Sequence, residues 1–284
     1  MVVRVNDRLQ RALPKINIDR RAEIWLWYFI NVMRPAQGIT CDINAPKRRD
    51  QIAEAIESNP SIKNEILLKI NQYLLPESAL TWIKGNERQS KYIQHSTYLA
   101  TGHLCPLINT LEHREASIAT IDTLFAGNGI HEKNELVGNI KQSWEKLISN
   151  DKYFDWFDGT DEESKTKIAW QIIDKKNPEI TSQHFPPKTK NELLITLDLS
   201  ILTTPEKILL IESIKKRWSQ NKYRAKQNGK NQYNFILSDK AINRLDKLAE
   251  THEIKRTEVL EILLKMESEN GEYISKHLNR LGDL

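Results

Sequence analysis

The stretch from residue 231 to residue 266 constrains the fold of this chain more than any other. Tyr233, Phe235 and Leu237 alternate there with polar or β-branched residues, a period of two that predicts a strand with one buried face. Ser238 then suits a helix N-cap, because its hydroxyl can accept from a free backbone N–H. Two stretches with the periodicity of amphipathic helices follow, separated by a few residues that interrupt the pattern. The predicted order is strand, helix, turn, helix.

A single strand of this kind needs a partner, because its N–H and C=O groups must be paired and its apolar face must be covered. The simplest partner is a second copy of the chain. The core of that dimer is expected to contain apolar residues from the strand and from both helices. They are Tyr233, Phe235, Leu237, Leu245, Val259 and Ile262.

The ordered pattern, with Gln232 and Asn234 followed by Leu237 in the strand, resembles the ribbon-helix-helix family of DNA-binding proteins and its Arc repressor subgroup. The resemblance covers about an eighth of the 284-residue chain. It implies that two chains pair their strands antiparallel and lay the ribbon in the major groove of DNA. Residue matching then assigns base reading to the outward positions Gln232, Asn234 and Ile236.

The three outward residues differ in what they offer to a base. Gln232 and Asn234 can present paired donor and acceptor groups to adenine. Ile236 could touch a thymine methyl group or leave its base pair unread. Alternatively, Gln232 and Asn234 could simply lie on the solvent-exposed face of an ordinary edge strand.

Positive charge is concentrated directly before the strand. The net charge of the chain is +4, whereas residues 205–231 carry eight lysines and arginines against two glutamates, and the remainder is slightly acidic. Such a basic segment is typical of contacts to DNA phosphates. The expected phosphate-binding residues of this segment are Lys215, Lys216, Arg217, Lys222, Arg224, Lys226 and Lys230. The first turn of the second helix, with Lys255, Arg256 and Thr257, should hold a further phosphate by its free N–H groups.

Helical periodicity and helix-capping residues recur along the rest of the chain, so the predicted fold is mainly α. The aromatic stretch at residues 25–29 could lie on a membrane or stack on bases, but a buried core helix is favoured. Pro186 and Pro187 suggest a domain boundary. Four segments are therefore expected: an N-terminal all-α domain of unknown role, basic connecting helices, the ribbon-helix-helix domain and a short C-terminal helix. Their ranges are residues 1–185, 190–228, 231–268 and 272–284.

The order of segments from residue 190 onward resembles the Ter macrodomain organiser (MatP) family. The shared features are a Pro-Glu helix start at Pro205, a basic helix end, a polar linker, the ribbon-helix-helix unit and a short terminal helix. The resemblance implies that a helical bundle works with the ribbon in binding a specific DNA site. It also implies that the C-terminal segment can bridge two dimers into a tetramer.

Other site types find little support in the residues. Cys41 and Cys105 form no disulfide framework, which suits a reducing cytoplasm. The cluster of His95, His103, Cys105 and His113 has no zinc-ligand spacing. The acidic segment 155–158 lacks a nearby nucleophile or base. We therefore expect no metal, no cofactor, no catalytic residue, no signal peptide and no membrane span.

The sequence thus predicts a cytoplasmic, nucleoid-associated protein that is not an enzyme and reads a short palindromic site in double-stranded DNA as a homodimer. Organising or bridging DNA is the first role compatible with this. A transcriptional repressor or antitoxin is the second, with the N-terminal domain binding a ligand or a partner protein. A nucleic-acid enzyme recruited by its C-terminal domain ranks last, because no catalytic constellation is visible.

Overall fold

The computed structural model describes residues 7–35, 39, 41–107, 109–124, 129–226 and 233–282, and this part of the chain is mainly helical, as predicted. None of its helices is long and apolar enough to cross a membrane. The described α-helices are, in chain order, α1 (Arg8–Ala12), α2 (Arg20–Tyr28), α3 (Arg48–Glu57), α4 (Pro60–Tyr73), α5 (Glu87–Thr101), α6 (His113–Thr123), α7 (Ile130–Ile148), α8 (Glu162–Lys176), α9 (Pro178–Thr181), α10 (Lys190–Asp198), α11 (Thr204–Lys226), α12 (Asp239–Thr251), α13 (Arg256–Asn270) and α14 (Tyr273–Gly282). A π-helical turn extends α2 over Phe29–Met33, and 3-10 turns lie at Glu77–Ala79 and Asp151–Phe157. The chain divides into two compact units, residues 1–223 and 224–284.

The aromatic helix α2 lies in the core of the first unit. Asp19 caps it by accepting from the N–H of Ala22 at 2.8 Å. Trp25 and Phe29 are almost completely buried, and their rings stack with centroids 5.2 Å apart. The ring of Trp25 also meets that of Tyr73 from α4 at 5.4 Å. The prediction of a core helix is therefore confirmed, since these rings pack against protein on several sides.

The helices on both sides of the two prolines share one core. Phe157, Ile173, Leu193 and Ile214 come from the 3-10 turn, α8, α10 and α11, and all belong to the same buried cluster. The sequence placed a domain boundary at Pro186 and Pro187, but the first unit continues to Tyr223. Proline stops a helix because it lacks an N–H, and this says nothing about whether the flanking apolar faces pack on each other.

In the second unit a tight turn joins α12 to α13, and α14 follows α13. Ser238 caps α12 through its hydroxyl, which accepts from the N–H of Ala241 at 3.3 Å, as predicted. After α12 the backbone of Glu253 is left-handed (φ 53°), and the N–H of Ile254 donates to the carbonyl of Ala249 at 3.1 Å. This hydrogen bond, from the second residue past the C-cap His252, is that of a Schellman motif, which usually places glycine at the left-handed position. The motif turns the chain sharply into α13.

Candidate nucleic-acid interface

The segment from Tyr233 to Ser238 precedes α12 without regular secondary structure in the single chain. The rings of Tyr233 and Phe235 lie on one side of it, stacked with their centroids 6.2 Å apart, so alternate side chains share a face. Asn234 is exposed, and Ile236 is fully exposed at 103% of its reference area. Gln232, the other predicted base-reading residue, lies outside the described residues. Two of the three predicted base-reading side chains are thus available to a ligand.

The second unit leaves most of its apolar side chains uncovered. Of its described residues only Val259 is buried, at 5% exposure, although α12 and α14 are strongly amphipathic. Among the predicted dimer-core residues, Phe235 is 74% exposed and Ile262 is half exposed, while Leu245 is partly covered. Within the described residues of this unit, the exposed large apolar side chains are Tyr233, Phe235, Ile236, Leu237, Ile242, Leu248, Ile262, Leu263, Leu264, Met266, Tyr273, Ile274 and Leu278. So much exposed apolar surface is rare on a soluble monomer.

The predicted phosphate-binding residues at the first turn of α13 differ in whether they already have partners. Lys255 precedes the helix and is exposed, and Thr257 is exposed beside it. Arg256 forms an ion pair with Asp246 of α12, which ties the two helices together. The carboxylate of Glu258 accepts from the backbone N–H of Lys255 at 3.4 Å. Arg256 therefore has a structural partner, whereas Lys255 and the backbone N–H groups of the first turn remain candidates for a phosphate.

The basic residues of α11 do not form one uniform surface. Lys215 is paired with Glu212 at 3.0 Å, and Lys222 with Asp161 at 2.8 Å. Lys216, Arg217 and Arg224 are exposed, and none has an ion pair within the described residues. The side chain of Lys226 and the whole of Lys230 lie outside the described residues.

Two further cations lie beside α11 that the sequence did not associate with it. Lys175 and Lys176, at the C-terminal end of α8, line one groove together with Lys216 and Arg217. The sequence shows these residues only as a Lys-Lys pair near the end of a helix. Such a pair is usually explained by its favourable interaction with the helix dipole. Their proximity to α11 depends on the shared core of α8 and α11, which spacing does not reveal.

The other arginine clusters of the first unit are paired with acids. Arg20 binds Glu115 at 3.1 Å, and Arg21 binds Asp122 through two bonds of 2.6 Å. Arg48 and Arg49 both contact Glu23, at 2.6 and 3.2 Å. These guanidinium groups serve to hold helices together, and their charge is largely neutralised by their partners.

A cavity of about 270 Å³ lies between α2 and α6. Ile24, Trp25 and Ile118 contribute apolar walls, while Arg114 and Glu77 lie at its polar side. The indole Nε1 of Trp25 is buried and has no hydrogen-bond partner among the described residues. Seven of the twelve lining residues are charged and four are apolar, so the cavity is more polar than most small-molecule sites and slightly smaller than their usual range.

A buried lysine lies behind this cavity. Lys133 Nζ donates to the carbonyl oxygens of Tyr73 and Asp122, at 2.8 and 3.2 Å, and lies 5.1 Å from the ring centroid of Tyr73. Burial lowers the pKa of Lys133 to about 8; the Asp122 carboxylate raises it, and Arg21 lowers it further. Burial also raises the pKa of Asp122, against the effect of its Arg21 partner. The three groups form one coupled, largely buried charge cluster.

Comparisons of the chain with protein-family models, with curated proteins and with solved structures find no match.

Proposed function

We propose that the protein binds a specific double-stranded DNA site as a dimer, with residues 233–238 of two chains paired as an antiparallel ribbon in the major groove. The main support for this proposal is that the second unit combines a segment suited to pairing with helices suited to covering it. A segment of alternating side chains, whose backbone groups from Tyr233 to Leu237 have no hydrogen bond within the described residues, is followed directly by two helices that expose large apolar side chains. Pairing two such segments satisfies the backbone and buries the apolar faces together.

The division of side chains along the segment supports base reading. Tyr233 and Phe235 stack on one side, which would face the dimer core, so Asn234 and Ile236 would face outward. An asparagine amide can bind adenine through two hydrogen bonds, and an isoleucine can contact a thymine methyl group. The unpaired cations of α11 and Lys255 would add contacts to phosphates, which strengthen binding without reading sequence.

The test is selection of binding sites from a randomised duplex library, followed by affinity measurements on the enriched site. We expect a palindromic site. Asn234→Ala should then lower the affinity for that site by about 1–3 kcal/mol and leave binding to random duplex unchanged. Asn270→Ala, at the far end of α13 from Lys255, is the matched control and should change neither affinity. Equal losses on both duplexes would contradict base reading by Asn234.

A second candidate role is favoured by the cavity between α2 and α6. A ligand there would make the protein a regulator whose DNA binding responds to a small molecule. Ala119 lines the cavity and is buried, so Ala119→Leu should occupy part of the space. In a screen of small molecules by thermal shift, compounds that raise the Tm of the wild type should fail to stabilise this variant.

A further inference from the structure

The groove between α8 and α11 has a composition that distinguishes it from the rest of the first unit. Its volume is about 450 Å³, and the residues that line it include four cations and no acid. They are Gln171, Ile172, Lys175, Lys176, Ser213, Lys216, Arg217 and Gln220. Within the described residues none of these four cations has an ion pair, and the one polar contact among them joins Lys176 Nζ to Ser213 Oγ at 3.4 Å. Several arginines elsewhere in this unit, among them Arg20, Arg21 and Arg88, are instead bound to carboxylates.

The two helices hold these cations in fixed relative positions. On α8 the lining positions are 171, 172, 175 and 176, and on α11 they are 213, 216, 217 and 220, so each set follows one helical face. Beneath the groove, Ile173 of α8 and Ile214 of α11 belong to the same buried cluster. The side chains are therefore brought together by a packed core, and no ligand is needed to assemble them.

Four like charges in one groove repel each other unless an anion is bound between them. The amides of Gln171 and Gln220, which also line the groove, can donate hydrogen bonds to oxygen atoms. A groove with four cations and neutral donors suits a chain of phosphates better than a single small anion, which one or two cations would satisfy.

We propose that this groove binds the sugar-phosphate backbone of nucleic acid, so that the first unit makes phosphate contacts of its own. The inference rests on the proposed DNA-binding function and extends it from the second unit to α8. The contacts are independent of sequence. Lys175 and Lys176 add to the salt dependence of binding, while the ratio of specific to non-specific affinity is set elsewhere.

The test compares the full-length wild type with Lys175→Gln/Lys176→Gln. The matched control is Lys141→Gln/Lys146→Gln, which removes the same charge from exposed positions of α7 outside the groove. Affinity for a random-sequence duplex is measured over a range of salt concentrations. Each lost phosphate contact lowers the slope of log K against log salt by about 0.9, so the groove variant should lose about 1.8 and the control nearly nothing.

The outcomes separate this inference from the proposed function. If the wild type binds duplex and the groove variant keeps the slope of the control, the groove inference is overturned while the ribbon proposal stands. A wild type with no affinity for any duplex would overturn both.

Titration with inorganic phosphate tests whether the groove is instead a site for a small anion. Saturable phosphate binding that is lost only in the groove variant, together with an unchanged salt dependence of duplex binding, would assign the groove to a free anion. A groove variant with a lower Tm and an unchanged slope would show that the lysines serve only the helix dipole.

Discussion

Arg88 of α5 donates from Nε to the carboxylate of Asp198, the last residue of α10, at a distance of 2.5 Å. Its two terminal nitrogens bind Asp151 at 2.7 and 2.8 Å. The side chains of Arg88 and Asp198 are 9% and 5% exposed, so the pair is buried. One guanidinium therefore connects three segments that lie up to 110 residues apart.

Replacing Arg88 by methionine should destabilise the first unit by about 3–5 kcal/mol, because it leaves the buried Asp198 carboxylate without its main partner. Chemical denaturation followed by circular dichroism measures this. Arg114→Met is the control, since Arg114 and its partner Glu77 are both about half exposed or more, and it should cost at most about 1 kcal/mol. Equal effects of the two substitutions would mean that the Arg88 network is not buried in solution.

Phe235→Ala distinguishes the dimer from the monomer. In one isolated chain Phe235 is 74% exposed, so its truncation should change the free energy of unfolding by less than about 0.5 kcal/mol. In a dimer whose core contains this ring, the cost should be about 3–5 kcal/mol, and the Tm should rise with protein concentration. Denaturation at several concentrations, together with sedimentation equilibrium, measures both quantities.

Phe185→Ala is the matched control for that substitution. Phe185 is 93% exposed in the first unit and was not predicted to lie at an interface. Its loss should leave both stability and association unchanged. A small effect of Phe235→Ala combined with a Tm that is independent of concentration would argue against the ribbon.

Local pattern predicted helices of this protein correctly, whereas the predicted strand before Ser238 has no regular secondary structure in the single chain. Helix α12 begins after Ser238 as expected, because an N-cap acts on residues only two or three positions away. The core position of Trp25 and Phe29 also followed from local pattern, since so aromatic a helix needs cover on several sides.

What local pattern did not predict is which elements share a core. The two prolines near residue 187 indicated a boundary, but Leu193 and Leu210 pack with Phe157 across it. Likewise, Lys175 and Lys216 gave no sign of lining one groove, because their proximity depends on how α8 and α11 pack. Long-range packing of this kind is a property of the folded chain, and spacing along the sequence does not encode it.

The buried Lys133 should make stability depend on pH. Its pKa is about 8 in the folded protein against an ordinary value of 10.5. Between these values the unfolded chain binds more protons, so the contribution of Lys133 to stability rises with pH from about 8 to about 10.5. Below pH 8 Lys133 is charged in both the folded and the unfolded protein. Burial of the charged amine then destabilises the folded protein by about 3 kcal/mol, the free energy that corresponds to this pKa shift.

The measurement is the free energy of unfolding of the wild type and of Lys133→Met at pH 7, 8, 9 and 9.5. The difference between the two proteins should change over this range in favour of the wild type. Lys141→Met, at an exposed position on the same helix, should show no such change relative to the wild type. A difference that is constant with pH would place the amine of Lys133 in contact with water.

A fragment that begins just before α10 and one that begins near the end of α11 should differ in whether they fold. A fragment of residues 188–284 contains α10 and α11 but lacks α8, so it exposes Leu193, Leu210, Ile211 and Ile214, all of which are buried in the intact chain. Exposing four such side chains costs about 6–12 kcal/mol, which is comparable to the whole stability of a domain. We therefore expect this fragment to aggregate or to unfold without cooperativity.

A fragment of residues 224–284 retains the second unit complete and should dimerise, since it keeps every residue of the predicted dimer core. Size-exclusion chromatography and thermal melts of the two fragments test this directly. Cooperative unfolding of a dispersed 188–284 fragment would mean that α10 and α11 fold without α8, and that the boundary suggested by the two prolines is the real one.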